Sequence, residues 1–192
     1  MTAEYIRTLA EGPPGTLWLG ASNGLFRYDG RRFSALGPAQ GLPAEPVFTL
    51  ATDSDGALWV AYPSGLHEYR EGKVRKLGVA EGIPKGPIHK IYECTRRRLW
   101  LGGAAGLFRL RNGKAEKVWP EEGREAPVLD LHEASPGELW FGTLRGLGLW
   151  RDGQVINVLT AKEGLYDEAV FRILQDGEDH LWMFPATGAS SG

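Results

Sequence analysis

An all-β chain built from repeated four-stranded units is predicted by three observations. A Leu-Trp dipeptide recurs at Leu17-Trp18, Leu58-Trp59, Leu99-Trp100, Leu139-Trp140 and Leu181-Trp182, with successive Trp residues 41, 41, 40 and 42 positions apart. Six residues after each Trp stands a glycine, at Gly24, Gly65, Gly106, Gly146 and Gly188. Upstream the register also holds: Ile6, Val47, Ile88, Val128 and Val170 lie twelve residues before each Trp, and Leu9, Leu50, Ile91, Leu131 and Ile173 lie nine before. Four short strands in a repeat of 40–45 residues are the signature of a β-propeller blade. One such sheet cannot bury both faces alone, whereas stacking it between neighbours does. The Trp and the glycine after it then take equivalent positions between blades.

The second unit shows how each repeat divides. Residues 47–52 form the first strand, ended by the turn Asp53-Ser54-Asp55-Gly56. Residues 58–62 form the second, ended at Pro63-Ser64-Gly65; residues 66–70 form the third, and a weaker fourth follows Gly72 at 73–77. The outer pairs elsewhere fall at 25–28 with 32–36, 107–110 with 115–119, and 147–150 with 154–159. A glycine opens each segment between repeats, at Gly41, Gly82, Gly123 and Gly164. No segment sustains a 3.6-residue apolar period, so helix is expected to be scarce.

The expected blades are 1–41, 42–82, 83–122 and 123–161, with the first two strands of a fifth over 162–192, all within one propeller domain spanning 1–192. That arithmetic suggests a piece of a larger propeller, or a ring completed by a longer parent chain or by self-association with another copy. The edge at residues 181–184 would then be open to strand addition.

Composition bounds the function. With 42% hydrophobic and 24% charged residues the chain is an ordinary globular one. A net charge of −2 offers no electrostatic reason to bind nucleic acid or an anionic membrane. Arg96-Arg97-Arg98 reads as a solvated turn, and the single Cys94 cannot form an internal disulfide. Glu4 and Arg7 interrupt what would be the apolar core of a signal peptide, and no stretch approaches the roughly 18 apolar residues of a membrane helix. The compartment is left open.

With those residues in place, the repeats resemble the two-component regulator propeller repeat. The closest matches are Leu17-Trp18-Leu19-Gly20, Gly24-Leu25-Phe26-Arg27-Tyr28-Asp29-Gly30, Gly41-Leu42-Pro43, and Leu139-Trp140-Phe141-Gly142-Thr143 with Gly146-Leu147. The chain departs from the pattern at Ala61, where the family has glycine, and at Glu45, Gly86, Ala126 and Glu168, where it commonly has Asn. The resemblance implies a bacterial, non-enzymatic ligand-sensing domain, extracytoplasmic and coupled to a signalling output, with carbohydrate as a ligand class.

Several apparent motifs dissolve once the repeat is recognised. Gly20-Ala21-Ser22-Asn23-Gly24 matches a nucleophile elbow but lies between strands, without the helix that elbow needs. Asp53-Ser54-Asp55-Gly56 starts like a calcium loop, yet its twelfth position is Ser64 instead of a bidentate Glu. The four His, at 67, 89, 132 and 180, lack metal-ligand spacing. Neither a metal nor a cofactor is expected.

Ligands usually meet a propeller at the end of its channel, on the face made by linkers and by turns between second and third strands. There the sequence offers Asn23, Arg145 and Tyr166 as candidate binding residues. Ten residues before each Trp, on the inner strands, stand Thr8, Thr49, Lys90, Asp130 and Arg172. Charges at equivalent places on adjacent strands are costly unless paired or facing water, so Lys90, Asp130 and Arg172 are candidates for hydrogen bonds to ligand hydroxyls or a carboxylate. His89 and His132, one step along the pleat, are expected between sheets. The rival functions are a protein-interaction scaffold and a propeller lyase or hydrolase, the latter needing His and carboxylates to converge on the linker face.

Overall fold

The computed structural model describes residues 4–121, 123–165 and 169–185. It is all-β, with four antiparallel four-stranded meanders and one two-stranded sheet. The first sheet comprises β1 (Ile6–Glu11), β2 (Leu17–Ala21), β3 (Gly24–Tyr28) and β4 (Phe33–Leu36). The second comprises β5 (Thr49–Thr52), β6 (Leu58–Tyr62), β7 (Gly65–Arg70) and β8 (Lys73–Leu77). In the third are β9 (Ile88–Glu93), β10 (Leu99–Gly103), β11 (Gly106–Arg111) and β12 (Lys114–Trp119). The fourth holds β13 (Val128–Ser135), β14 (Glu138–Thr143), β15 (Gly146–Arg151) and β16 (Gln154–Leu159), and the last pairs β17 (Val170–Gln175) with β18 (Leu181–Pro185). Within each sheet the strands lie in chain order. The inner strands touch in succession, β1 on β5, β5 on β9, β9 on β13 and β13 on β17, and so form an arc.

Among the described residues, helix is confined to single 3-10 turns at Pro38–Gln40, Val79–Glu81 and Ala161–Glu163, in the linkers. Each is closed by its own polar side chain: Gln40, Glu81 and Glu163 accept the backbone N–H of Gly37, Gly78 and Thr160 at 2.9, 2.7 and 2.8 Å. Such one-turn pieces are too short to show an apolar period, which is why the sequence pattern passes over them.

Packing between sheets explains the repeat. Trp18 is buried with Val47 and Leu50 of the following unit. Trp59 packs in one cluster with Ile88 and Ile91, and Trp100 with Val128 and Leu131. Trp140 packs on Val170 and Ile173. The positions twelve and nine before each Trp are thus the surface that the preceding Trp meets. Trp182, followed by no further sheet among the described residues, is 56% exposed.

Two residues after the Trp, glycine lets the next sheet come close. A Cβ on Gly20 would lie 2.5 Å from Val47 Cγ1, one on Gly102 2.7 Å from Val128 Cγ1, and one on Gly142 2.5 Å from the Val170 carbonyl oxygen. In the second sheet Ala61 fills this place and packs in the same cluster as Ile88, so one methyl is accommodated there. The glycine six after the Trp answers a different need. Gly106 and Gly146 open their strands at φ +129° and +138°, and a Cβ would strike the Trp119 or Leu159 carbonyl oxygen at 2.0 or 2.1 Å. Gly24 and Gly65 share that backbone, while Gly188 lies outside the described residues.

At the opposite end of the inner strands, polar side chains fasten each sheet to the one before. Thr52 Oγ1 donates to the Glu11 carbonyl at 2.6 Å. Glu93 accepts from Ser54 N and Oγ at 2.6 and 2.9 Å. Glu133 accepts from Thr95 N at 2.6 Å, and Gln175 Nε2 donates to the Ala134 carbonyl at 3.3 Å. All four side chains stand seven residues before their Trp. The Asp53 turn is itself braced, its carboxylate accepting from Asp55 N, Ala57 N and Trp59 Nε1 at 3.1, 2.8 and 2.8 Å. Asp176 accepts Trp182 Nε1 in the same way at 2.8 Å.

Gly102→Val is expected to destabilise the fold by roughly 1–3 kcal/mol, through overpacking against Val128. Gly177→Ala, where a Cβ meets nothing within 4 Å, is expected to stay within about 0.5 kcal/mol of the parent. Urea unfolding of the two variants beside the parent measures both.

Candidate functional site

The residues that face the channel are set by a β-bulge in each first strand. Ile6 pairs with Ala21 and Thr8 with Gly20, leaving Arg7 unpaired. The same step leaves out His89 between Ile88 and Lys90, Leu129 between Val128 and Asp130, and Phe171 between Val170 and Arg172. In the second sheet Phe48 N and Thr49 both address Ala61. A bulge opposes two residues to one and turns the chain, so the residue that simple alternation would send inward is redirected.

The result is one cavity of about 800 Å³ bounded by all five inner strands. Thr8, Thr49, Lys90, Asp130 and Arg172 line it, ten residues before each Trp. The bulged residues Arg7, Phe48, His89, Leu129 and Phe171 line it as a second tier. His89 is therefore not between sheets: it is exposed toward the cavity, because the bulge breaks the alternation on which the sequence reading relied. His132 does lie between sheets, with its Nε2 3.0 Å from Gln175 Oε1.

The charges in the wall divide into two kinds. Lys90 Nζ lies 2.8 Å from Asp130 Oδ1, and the other carboxylate oxygen accepts Ile173 N–H at 2.9 Å. Asp130 is thus nearly inaccessible, with both carboxylate oxygens engaged, and joins the third, fourth and fifth sheets. Arg172 and Arg7, at the two ends of the arc, are exposed and form no ion pair among the described residues. Glu93 also lines the cavity, three residues beyond Lys90 toward the far end, where its carboxylate holds Ser54.

The structure brings Lys90, Asp130 and Arg172 into a single wall, and it keeps Asn23 and Arg145 away from it. Asn23 sits in the β2–β3 turn and accepts Glu4 N–H at 3.4 Å. Arg145 sits exposed in the β14–β15 turn, with its N–H on Thr143 Oγ1 at 3.0 Å. Tyr166 lies outside the described residues. In the linker, Glu45 accepts Ser64 N–H at 3.0 Å beside a buried pair in which the Tyr62 and His67 rings meet edge-on at 5.2 Å. Burial holds the His67 imidazole below its ordinary pKa and pushes the Tyr62 phenol up.

The second tier of cavity residues escaped the sequence reading, although its signal was present. The core-facing residues of each inner strand are three apart, as in Val128 and Leu131, whereas an unbroken pleat would return to one face after two or four. An odd spacing between two core positions implies an extra residue in between.

Comparison with known proteins agrees with this architecture. Residues 41–63 match the family model described as two component regulator propeller. No curated protein matches the sequence. Among solved structures, the extracellular domain of BT4673 from B. thetaiotaomicron, described as a one component system, superposes with a TM-score of 0.80 at 23% identity. That match covers 95% of this chain and 26% of the other. The extracellular domain of BT3049, described as a hybrid two component system of the same organism, gives 0.75 at 18% identity over 95% and 28% of the two chains. Virginiamycin B lyase from Staphylococcus aureus gives 0.71 at 16% identity over 93% and 62%. At these identities the likeness establishes the propeller fold. The chain spans about a quarter of the length of the two extracellular domains.

Lys90→Met, which strands the Asp130 carboxylate, is expected to cost about 3 kcal/mol, and adding Asp130→Asn is expected to restore most of it. Denaturant midpoints of the parent, single and double variants test this. For His67, the unfolded chain takes up the proton near pH 6.5 while the folded chain resists it to lower pH. The stability this contributes is present above about pH 6.5 and is lost as pH falls through the folded value. Unfolding between pH 7.5 and 5 should show a decline that is shallower in His67→Phe.

Proposed function

From a chain that carries the two component regulator propeller repeat at residues 41–63, we propose a non-enzymatic ligand-sensing domain of a bacterial two-component signalling receptor, with a carbohydrate as ligand. The observation that carries this reading is the cavity bounded by all five inner strands. Its wall mixes hydroxyls, aromatic rings and exposed guanidinium groups, a set suited to hydroxyl-rich ligands with apolar ring faces. The extracellular placement of the BT4673 and BT3049 domains supports an extracytoplasmic position for this one. Binding without turnover is favoured by the state of Asp130. One oxygen is held by Lys90 and the other by Ile173 N–H, and the carboxylate is nearly inaccessible, so a ligand in the cavity has little access to it as a general base.

The test is a thermal-shift and calorimetric screen of the purified chain against neutral and acidic oligosaccharides. A ligand at a hundredfold excess over its Kd stabilises by about 2.7 kcal/mol, which for a domain of this size raises Tm by roughly 5–10 °C. Leu129→Trp, which puts a large ring into the cavity, is expected to abolish the shift while the variant still unfolds cooperatively. Mass spectrometry of the recovered ligand should find it unchanged. No saturable binding across the panel would overturn the sensing proposal, and cleavage of a bound saccharide would replace it with an enzymatic one.

A further inference from the structure

We infer that the cavity selects an anionic saccharide, whose carboxylate or sulfate group is taken by Arg172 with one sugar face lying on Phe171. This rests on the sensing proposal above and adds the charge of the ligand to it. The bulge places Phe171 and Arg172, consecutive in sequence, on the same cavity wall, where an unbroken strand would turn them to opposite faces. The Phe171 side chain is 44% exposed, a large apolar surface open to the cavity. A guanidinium offers planar, paired N–H donors that match a carboxylate or sulfate edge, and it stays charged at any physiological pH.

The charge balance of the wall sets the sign. Lys90 and Asp130 neutralise one another at 2.8 Å. That leaves Arg7 and Arg172 as cations without an ion-pair partner among the described residues, against the single carboxylate of Glu93. Glu93 is three residues further along its strand than Lys90, roughly 10 Å away, and is tied to Ser54. The cavity is therefore polarised along its axis, cationic where the inner strands begin and anionic where they end. A neutral ligand filling it would replace water on two guanidinium groups with uncharged hydroxyl acceptors alone, leaving both charges unbalanced. An anionic one replaces that water with charge-assisted hydrogen bonds.

Calorimetry at low and moderate salt tests the inference on the whole chain. The probes are a galacturonic acid tetramer, its methyl ester, a sulfated uronic acid–glucosamine tetramer, a neutral xylose tetramer and tricarballylate, a carboxylate without sugar rings. At least one acidic saccharide should bind, added salt should weaken it, and the neutral compounds should bind at least tenfold more weakly. Arg172→Gln should weaken the acidic ligand at least tenfold, Arg172→Lys less, and Arg31→Gln, outside the cavity, not at all. The exposed Arg172 leaves Tm of these variants close to the parent, so lost binding is not lost folding.

Equal binding of neutral and acidic saccharides, or acidic binding indifferent to Arg172→Gln, would overturn the inference and leave carbohydrate sensing standing. Binding of tricarballylate as tight as that of the saccharides would overturn its saccharide half. Failure of every saccharide to bind would remove the sensing proposal with it.

Discussion

The close approach of each sheet to the next, through a glycine two residues after the Trp, is the constraint on which the rest of the molecule depends. Gly20 and Gly102 receive the side chains of Val47 and Val128, and Gly142 receives the backbone and side chain of Val170. With no Cβ at these places the next inner strand comes against β2, β10 and β14, and the Trp beside each glycine can then cover the next unit. Ala61 shows the tolerance of the arrangement: a single methyl fits against the Ile88 region, and its cluster remains continuous. The far ends of the strands are held against splaying, because Thr52, Glu93, Glu133 and Gln175 fasten each sheet to the one before it.

That packing has a consequence inside the channel. Each inner strand after the first must present two core residues three positions apart, one toward the preceding glycine (Ala61 in the second sheet) and one toward the preceding Trp. A pleated strand meets that demand only by inserting a residue, and the bulge is the result. The inserted residue faces the cavity together with the one after it, so every sheet contributes two consecutive side chains to the wall. The requirement that holds the sheets together thereby also shapes the cavity wall.

The repeat, the strands and the turns were legible because period-two patterning and recurrent Leu-Trp pairs are local signals. Residues 73–77, read as a weaker fourth strand, form β8, and residues 58–62 form β6. Lys90, Asp130 and Arg172 were legible as a set because equivalent positions in a repeat occupy equivalent places. What alternation could not supply was the direction of His89, since one extra residue reverses the parity of everything before it. Nor could it supply the division of labour among the charges. That Asp130 is consumed by Lys90 and the Ile173 N–H depends on how closely three separate sheets approach, which no single strand encodes.

The variation between repeats now has a physical meaning. Positions that meet a neighbouring sheet stay within a narrow chemical range: Val or Ile twelve before the Trp, Leu or Ile nine before. The bulged position holds Arg7, Phe48, His89, Leu129 and Phe171, five residues with four different chemistries, in the same backbone setting. Packing between sheets cannot account for that diversity, because a site pressed against another sheet would demand a constant volume. Phe48 still packs against the cluster around Trp59, but Arg7, His89 and Phe171 are exposed at the cavity and are released from the demand. Invariance in this chain therefore marks the contacts that hold the sheets together, and the tier that varies marks the cavity wall, where packing sets no fixed volume.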